Sequence, residues 1–86
     1  MAALAVSERL FQISQEIQEI ENELGQHRFA LRAFLRHLRP ASPAVVGDRM
    51  RAANENIMRL ETRRQMLRDE QRALIVQAVT LGDRRD

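Results

Sequence analysis

Two stripes of apolar residues, spaced alternately by three and four positions, constrain the fold of this chain more than any other feature. Nineteen of the 22 stripe positions are apolar. The first stripe consists of Ala3, Val6, Leu10, Ile13, Ile17, Ile20, Leu24, His27, Leu31, Phe34 and Leu38. The second consists of Val46, Met50, Ala53, Ile57, Leu60, Arg64, Leu67, Gln71, Leu74, Ala78 and Leu81. A sustained repeat of 3.5 residues is typical of a coiled-coil seam and predicts two long packed helices.

A proline-rich segment separates the two stripes. Pro40 disfavours helical backbone at Arg39, and Ser42 followed by Pro43 is typical of a helix N-cap with proline at the first helical position. Gly82 stands where a residue that ends a helix is expected. The sequence therefore predicts one domain over 1–86. Its parts are helix 1 at about 3–38, a turn at 39–43, helix 2 at about 44–81 and a tail at 82–86.

Each helix has a second position at which it could begin. In helix 1, Ser7 could be the N-cap, with Val6 and Phe11 packed against each other across the cap. In helix 2, Asp48 after Gly47 is the competing cap. Both alternatives leave most of the stripe within the helices, so the predicted hairpin does not depend on them.

Folding the second helix back across the turn aligns the two stripes in an antiparallel register. Leu38 then faces Val46 at the turn, and every layer down to Ala3 and Leu81 is paired. The seam is interrupted by Arg64, Gln71 and His27. We expect Arg64 to pair with a nearby glutamate of helix 1, namely Glu16, Glu21 or Glu23. His27 is expected to be neutral and bonded to a nearby side chain such as Glu23, rather than to act as a pH switch.

Composition argues against catalysis and against a bound cofactor. The chain has 86 residues, no cysteine and only two histidines, and neither histidine has a glutamate three residues before it, as metal-binding helical bundles require. We therefore expect no enzymatic activity, no catalytic residue, no cofactor and no metal. No apolar run approaches the roughly 20 residues of a membrane span, so we expect no membrane partner and a cytoplasmic location.

One side of the predicted hairpin carries apolar residues outside the seam. We call these residues the apolar flank: Leu4, Phe11, Leu35, Met58, Ile75 and Val79. An exposed patch of this kind usually marks an interaction surface. A lone two-helix hairpin also has too little core to be more than marginally stable. We therefore expect two copies to join through this flank as a four-helix bundle.

The end of the hairpin at the turn is strongly basic. All 14 basic residues of the chain are arginine, while the formal net charge is only +2. We call the group around the turn the basic tip: Arg28, Arg32, Arg36, Arg39, Arg49 and Arg51. Five glutamates between Glu8 and Glu23 make the opposite part of helix 1 acidic. Such a tip could contact phosphates or an acidic protein, or could simply be solvated.

These observations favour a non-enzymatic protein–protein interaction module, such as a small regulator, inhibitor, adaptor or assembly subunit. Its partner would be a second copy of the chain or another protein of acidic character, which the basic tip would steer. Phe11, Ile75 and Val79 would be the anchors. The alternative is a nucleic-acid-binding hairpin whose tip arginines contact phosphates without reading sequence.

Overall fold

The computed structural model is an all-helical hairpin of two long helices, as the apolar stripes predict. It describes residues 2–38 and 42–83, with side chains from Ala5 to Leu38 and from Ser42 to Thr80. Helix α1 spans Ala2–Arg36 and helix α2 spans Pro43–Asp83. The two helices pack against each other in an elongated molecule of 69 × 16 × 16 Å.

The start of α2 follows the serine–proline signal. The Ser42 hydroxyl oxygen accepts a hydrogen bond from the Ala44 amide at 3.3 Å. The Ser42 carbonyl oxygen accepts bonds from the amides of Val45 and Val46 at 3.0 and 3.2 Å. These bonds satisfy donors that the first turn of a helix leaves free. The helix is therefore capped by Ser42 and begins at Pro43, six residues before the start that Asp48 as the cap would give.

The other helix ends differ in detail from the expected positions. Helix α1 begins at Ala2, so Ser7 lies inside the helix and does not cap it. It ends at Arg36, where the His37 amide makes a last bond to the Ala33 carbonyl at 3.2 Å. Helix α2 continues through Gly82 to Asp83, because one glycine costs a long helix only about 1 kcal/mol. The expected turn residues 39–41 and tail residues 84–86 lie outside the described residues.

The core is the predicted seam. Helix α1 supplies the buried residues Val6, Ile13, Ile20 and Leu24, and α2 supplies Leu67. Ile13, Ile20, Leu24 and Leu67 form one cluster, and partly buried seam residues pack against it: Ile17, Ile57, Leu60 and Leu74. All of these side chains occupy stripe positions, so the 3.5-residue repeat selected the buried side of each helix. Burial of these residues holds the two helices side by side.

The contacts between helices agree with the predicted antiparallel register. A register that places Leu38 opposite Val46 also places Ile20 opposite Arg64 and Phe34 opposite Met50. The Arg64 guanidinium bonds to Glu21, the residue after Ile20, at 2.9 Å. The guanidinium of Arg49, the residue before Met50, lies 4.9 Å from the centre of the Phe34 ring. The contacts near the middle of the hairpin and those near the turn thus agree with the same antiparallel register.

Candidate interaction surfaces

Ion pairs bridge the helices along one side of the seam. The Arg9 guanidinium donates to both carboxylate oxygens of Glu70, at 2.6 and 2.9 Å. This hydrogen bond lowers the pKa of Glu70 and raises the pKa of Arg9. Arg63 lies 3.5 Å from Glu16 on the same side. Because all four side chains are well exposed, the pairs contribute more to alignment of the helices than to stability.

Ion pairs also bridge the opposite side of the seam. Glu21 accepts hydrogen bonds from Arg64 at 2.9 Å and from Arg68 at 3.2 Å. Arg28 lies 3.6 Å from Glu61. Of the three glutamates that the sequence offered to Arg64, the structure selects Glu21. His27 is half-buried, and no hydrogen bond joins it to Glu23 among the described side chains, so the expected bond between them is not formed.

The apolar flank lies on the side of Glu21 and Glu61. Ile75 follows Glu61 and Arg68 at seven-residue intervals, which return to nearly the same side of a helix. Leu35 follows Glu21 on α1 at twice that interval. Phe11 and Val79 each follow a seam residue and lie just outside it. The flank is therefore divided by charged residues into an end near the chain termini and an end near the turn.

The residues of the apolar flank near the termini are well exposed. Phe11 is 64% exposed, Ile75 is 47% exposed and Val79 is 59% exposed. Val76, next to Ile75, adds to this apolar surface. Leu35 and Met58 are also exposed but lie toward the turn. Leu4 falls among the residues whose side chains are not described, so its predicted place on the flank stays a prediction.

The arginines of the basic tip are not equivalent. Arg28 pairs with Glu61, Arg51 lies 3.5 Å from Asp48, and Arg49 stacks on Phe34. Arg32 and Arg36 are exposed and form no ion pair with an acidic side chain of 5–38 or 42–80. Arg39 lies outside these ranges. Of the tip arginines that the structure describes, Arg32 and Arg36 have neither an ion pair nor a ring contact.

Phe29 is a surface feature that the sequence analysis missed. It is 70% exposed, more than any other large apolar side chain in the described part of the chain. A groove of about 290 Å³ begins at its ring and runs along α1, lined by Phe29, Arg32, Ala33, Arg36 and His37. The seven-residue repeat could have indicated this feature. Phe29 occupies the position of the repeat that lies farthest from the seam on α1, where a polar residue is expected.

A second depression, near the middle of α1, is rich in acid. It is lined by Glu16, Glu19, Ile20, Asn22, Glu23 and Arg63. Arg63 pairs with Glu16 in this depression, which favours interpreting it as an ordinary solvated surface rather than a binding site. In the described residues, no three histidine or acidic side chains come close enough together to hold a metal ion. No helix among those residues is long and apolar enough to cross a membrane.

The fold and its exposed surfaces define an antiparallel helical hairpin with one apolar flank and one basic tip. No family model matches the chain, and neither a curated protein nor a solved structure shows significant similarity to it. The chemistry of these surfaces is therefore the guide to its function.

Proposed function

We propose that this chain is a non-enzymatic protein-interaction module that binds its partner through the terminal end of the apolar flank. Within that class it would be a small regulator, inhibitor, adaptor or assembly subunit. The observation that carries the proposal is the exposure of Phe11, Ile75 and Val79 on one side of the hairpin. Large apolar side chains grouped on one face bind best where another apolar surface can exclude water.

The total surface area supports a partner of substantial size. The hairpin exposes 6992 Å², whereas a folded chain of 10.0 kDa is expected to expose about 5,200 Å². The excess of roughly 1,800 Å² is comparable to what each subunit of an obligate dimer buries, about 1,000–2,500 Å². A second copy of the chain would supply such a surface and complete a four-helix bundle.

The uneven charge supports a role for the basic tip in bringing partners together. Residues 28–51 hold six arginines against Asp48 alone, a net charge of +5, while residues 1–27 hold five glutamates against Arg9, a net charge of −4. A surface with such an excess of charge raises the association rate with an oppositely charged partner. We assign affinity to the apolar flank and steering to the tip.

Sedimentation equilibrium of three purified proteins tests the proposal. We expect the wild type to be a dimer and Phe11→Glu to dissociate, because a charge at the centre of the interface would be desolvated without a counterion. Met66→Glu is the matched control, since Met66 is 58% exposed on the other side of the hairpin. It should remain a dimer. Dissociation of both variants would contradict a specific role for the flank.

A wild type that is folded and monomeric would exclude the self-association part of the proposal. Affinity capture from the native host then decides the remainder. A specific protein partner should be captured by the wild type and by Met66→Glu but lost with Phe11→Glu. Capture of the same proteins by all three would show that the flank does not bind them, and the proposed function would be wrong.

A further inference from the structure

Phe29 has no packing role that explains its position. It lies at the outermost position of α1, and its ring is largely surrounded by solvent. One turn earlier is Gly25, where an added Cβ would meet no atom within 4 Å, and one turn later is the small residue Ala33. Because neither of these two neighbours carries a long side chain, the helix surface is open between Phe29 and each of them, and Gln26 and Arg32 flank the ring.

The two sides of the ring differ in chemistry. The surface toward Gly25 is a shallow depression of about 510 Å³, lined by Glu21, Asn22, Gly25, Gln26 and Phe29. Its acidic residue, Glu21, is engaged by Arg64 and Arg68. The groove on the other side carries Arg32, Arg36 and His37. The ring thus separates a recess whose one acidic residue is already paired from a groove that carries two arginines.

The arginines of the hairpin differ in their pairing with acidic side chains. Arg9, Arg63, Arg64 and Arg68 are each held by a glutamate across the seam. Arg32 and Arg36 have no such partner among the side chains of 5–38 and 42–80. Arg59 and Arg72 share this property, but Arg32 and Arg36 lie side by side, one helical turn or about 6 Å apart. The two guanidinium groups are therefore available to bidentate anions.

We propose that Phe29, Arg32 and Arg36 form a binding site for single-stranded nucleic acid. A base stacks on the Phe29 ring over Gly25, and the adjoining phosphates pair with the two guanidinium groups. His37, at the end of the groove, adds a further donor. Aromatic stacking combined with arginine–phosphate contacts is the common means by which proteins hold single strands without reading sequence.

The exposed ring favours a nucleic acid over an acidic protein. Acidic side chains need only the arginines, whereas a flat base uses the open face of Phe29 as well. The site gives a location to the nucleic-acid alternative that the sequence left open. It is also separate from the proposed protein interface, since Phe29 lies 18 residues along α1 from Phe11, about 27 Å at 1.5 Å per residue.

Fluorescence anisotropy with the full chain and a labelled 12-nucleotide oligothymidylate tests the site at 50 and 200 mM salt. We expect binding that weakens as salt rises, and weaker binding of a duplex of the same length, whose bases cannot reach Phe29. Phe29→Leu should reduce affinity about tenfold. The double variant Arg32→Gln/Arg36→Gln should reduce the slope of log affinity against log salt by about 1.4, for two lost phosphate contacts.

A matched double variant separates a defined site from diffuse charge. Arg59→Gln/Arg72→Gln removes the same charge from two exposed arginines of α2 and should leave affinity nearly unchanged. Equal losses in both double variants would overturn the proposal, as would unchanged binding by Phe29→Leu with helical content preserved. Binding of a polyglutamate peptide as tight as that of the oligonucleotide would also overturn it. Because Phe11→Glu tests the protein interface separately, either proposal can fail alone.

Discussion

At the scale of single residues, Arg64 shows how a charged side chain is accommodated in an apolar seam. Its side chain is only 19% exposed, yet its guanidinium reaches Glu21 at the edge of the seam. Glu16, which pairs with Arg63, and Glu23, seven residues later, lie on the other side of the hairpin, which leaves Glu21 as the counterion of Arg64. The aliphatic stem of Arg64 covers the seam while its charge stays near water.

This arrangement predicts opposite effects for the two partners of the pair. Glu21→Gln should lower the free energy of unfolding by about 1–2 kcal/mol, because Arg64 loses its countercharge in a partly buried position. Arg64→Leu should leave that free energy unchanged or raise it, since leucine fits an apolar seam. Urea denaturation followed by circular dichroism measures both values. Glu19→Gln is the control, because Glu19 is exposed.

An equal loss in Glu19→Gln would mean that removal of negative charge, rather than the ion pair, destabilises the protein. A large loss in Arg64→Leu would show that the arginine itself stabilises the hairpin. Either result would contradict the view that Arg64 is tolerated only through Glu21.

At the scale of the helices, stability is concentrated on one line of residues. Leu67 is 1% exposed in the seam, while its neighbour Met66 is 58% exposed. Leu67→Ala should lower the free energy of unfolding by about 2–5 kcal/mol, because it opens a cavity in a small core. Met66→Ala should change it by no more than about 0.5 kcal/mol. Both proteins can be compared by urea denaturation at one protein concentration.

The pair of variants also controls for helix propensity, because leucine and methionine differ little from each other in that respect. A loss in Met66→Ala similar to that in Leu67→Ala would indicate that Met66 is buried in an assembly. That result would move the interface to the side opposite the apolar flank.

The hairpin and its core could be predicted from the sequence because both follow from one geometric rule. A helix returns to the same side every 3.5 residues when it packs against a partner, so the spacing of residues such as Ile13, Leu24 and Leu67 selects the buried side. The proline signal at Ser42-Pro43 fixed the start of α2 for a similarly local reason. Neither inference requires knowledge of distant contacts.

Other features depend on contacts that no local pattern specifies. Three glutamates were equally available to Arg64 in sequence, and only the packed helices select Glu21. The tip arginines look alike as a run of charges, but Arg28 finds Glu61 and Arg49 finds Phe34. The residue at which α1 ends and the continuation of α2 through Gly82 depend on small differences in free energy between helical and non-helical backbone. The binding roles of the apolar flank and the basic tip stay predictions.

At the scale of the whole molecule, the hairpin is long and thin. It extends 69 Å but only 16 Å in each other direction, so nearly every side chain off the seam meets solvent. A chain of this shape has a single layer of core, whereas stable domains usually bury each helix against two or more neighbours. The same seam could also be formed between chains, if the turn opened and α1 of one copy packed on α2 of another.

Cysteines in the seam distinguish a hairpin closed within one chain from an exchanged pair. Leu60 packs against the core cluster that contains Leu24, so Leu24→Cys/Leu60→Cys should oxidise to a disulfide within one chain, which migrates as a monomer on a non-reducing gel. The chain has no native cysteine to compete. Leu24→Cys/Met58→Cys is the control and should not bridge, because Met58 is exposed outside the seam. Covalent dimers of the first variant at low protein concentration would mean that the helices exchange between chains. The four-helix assembly would then arise from the seam itself, and the apolar flank would remain free for another protein.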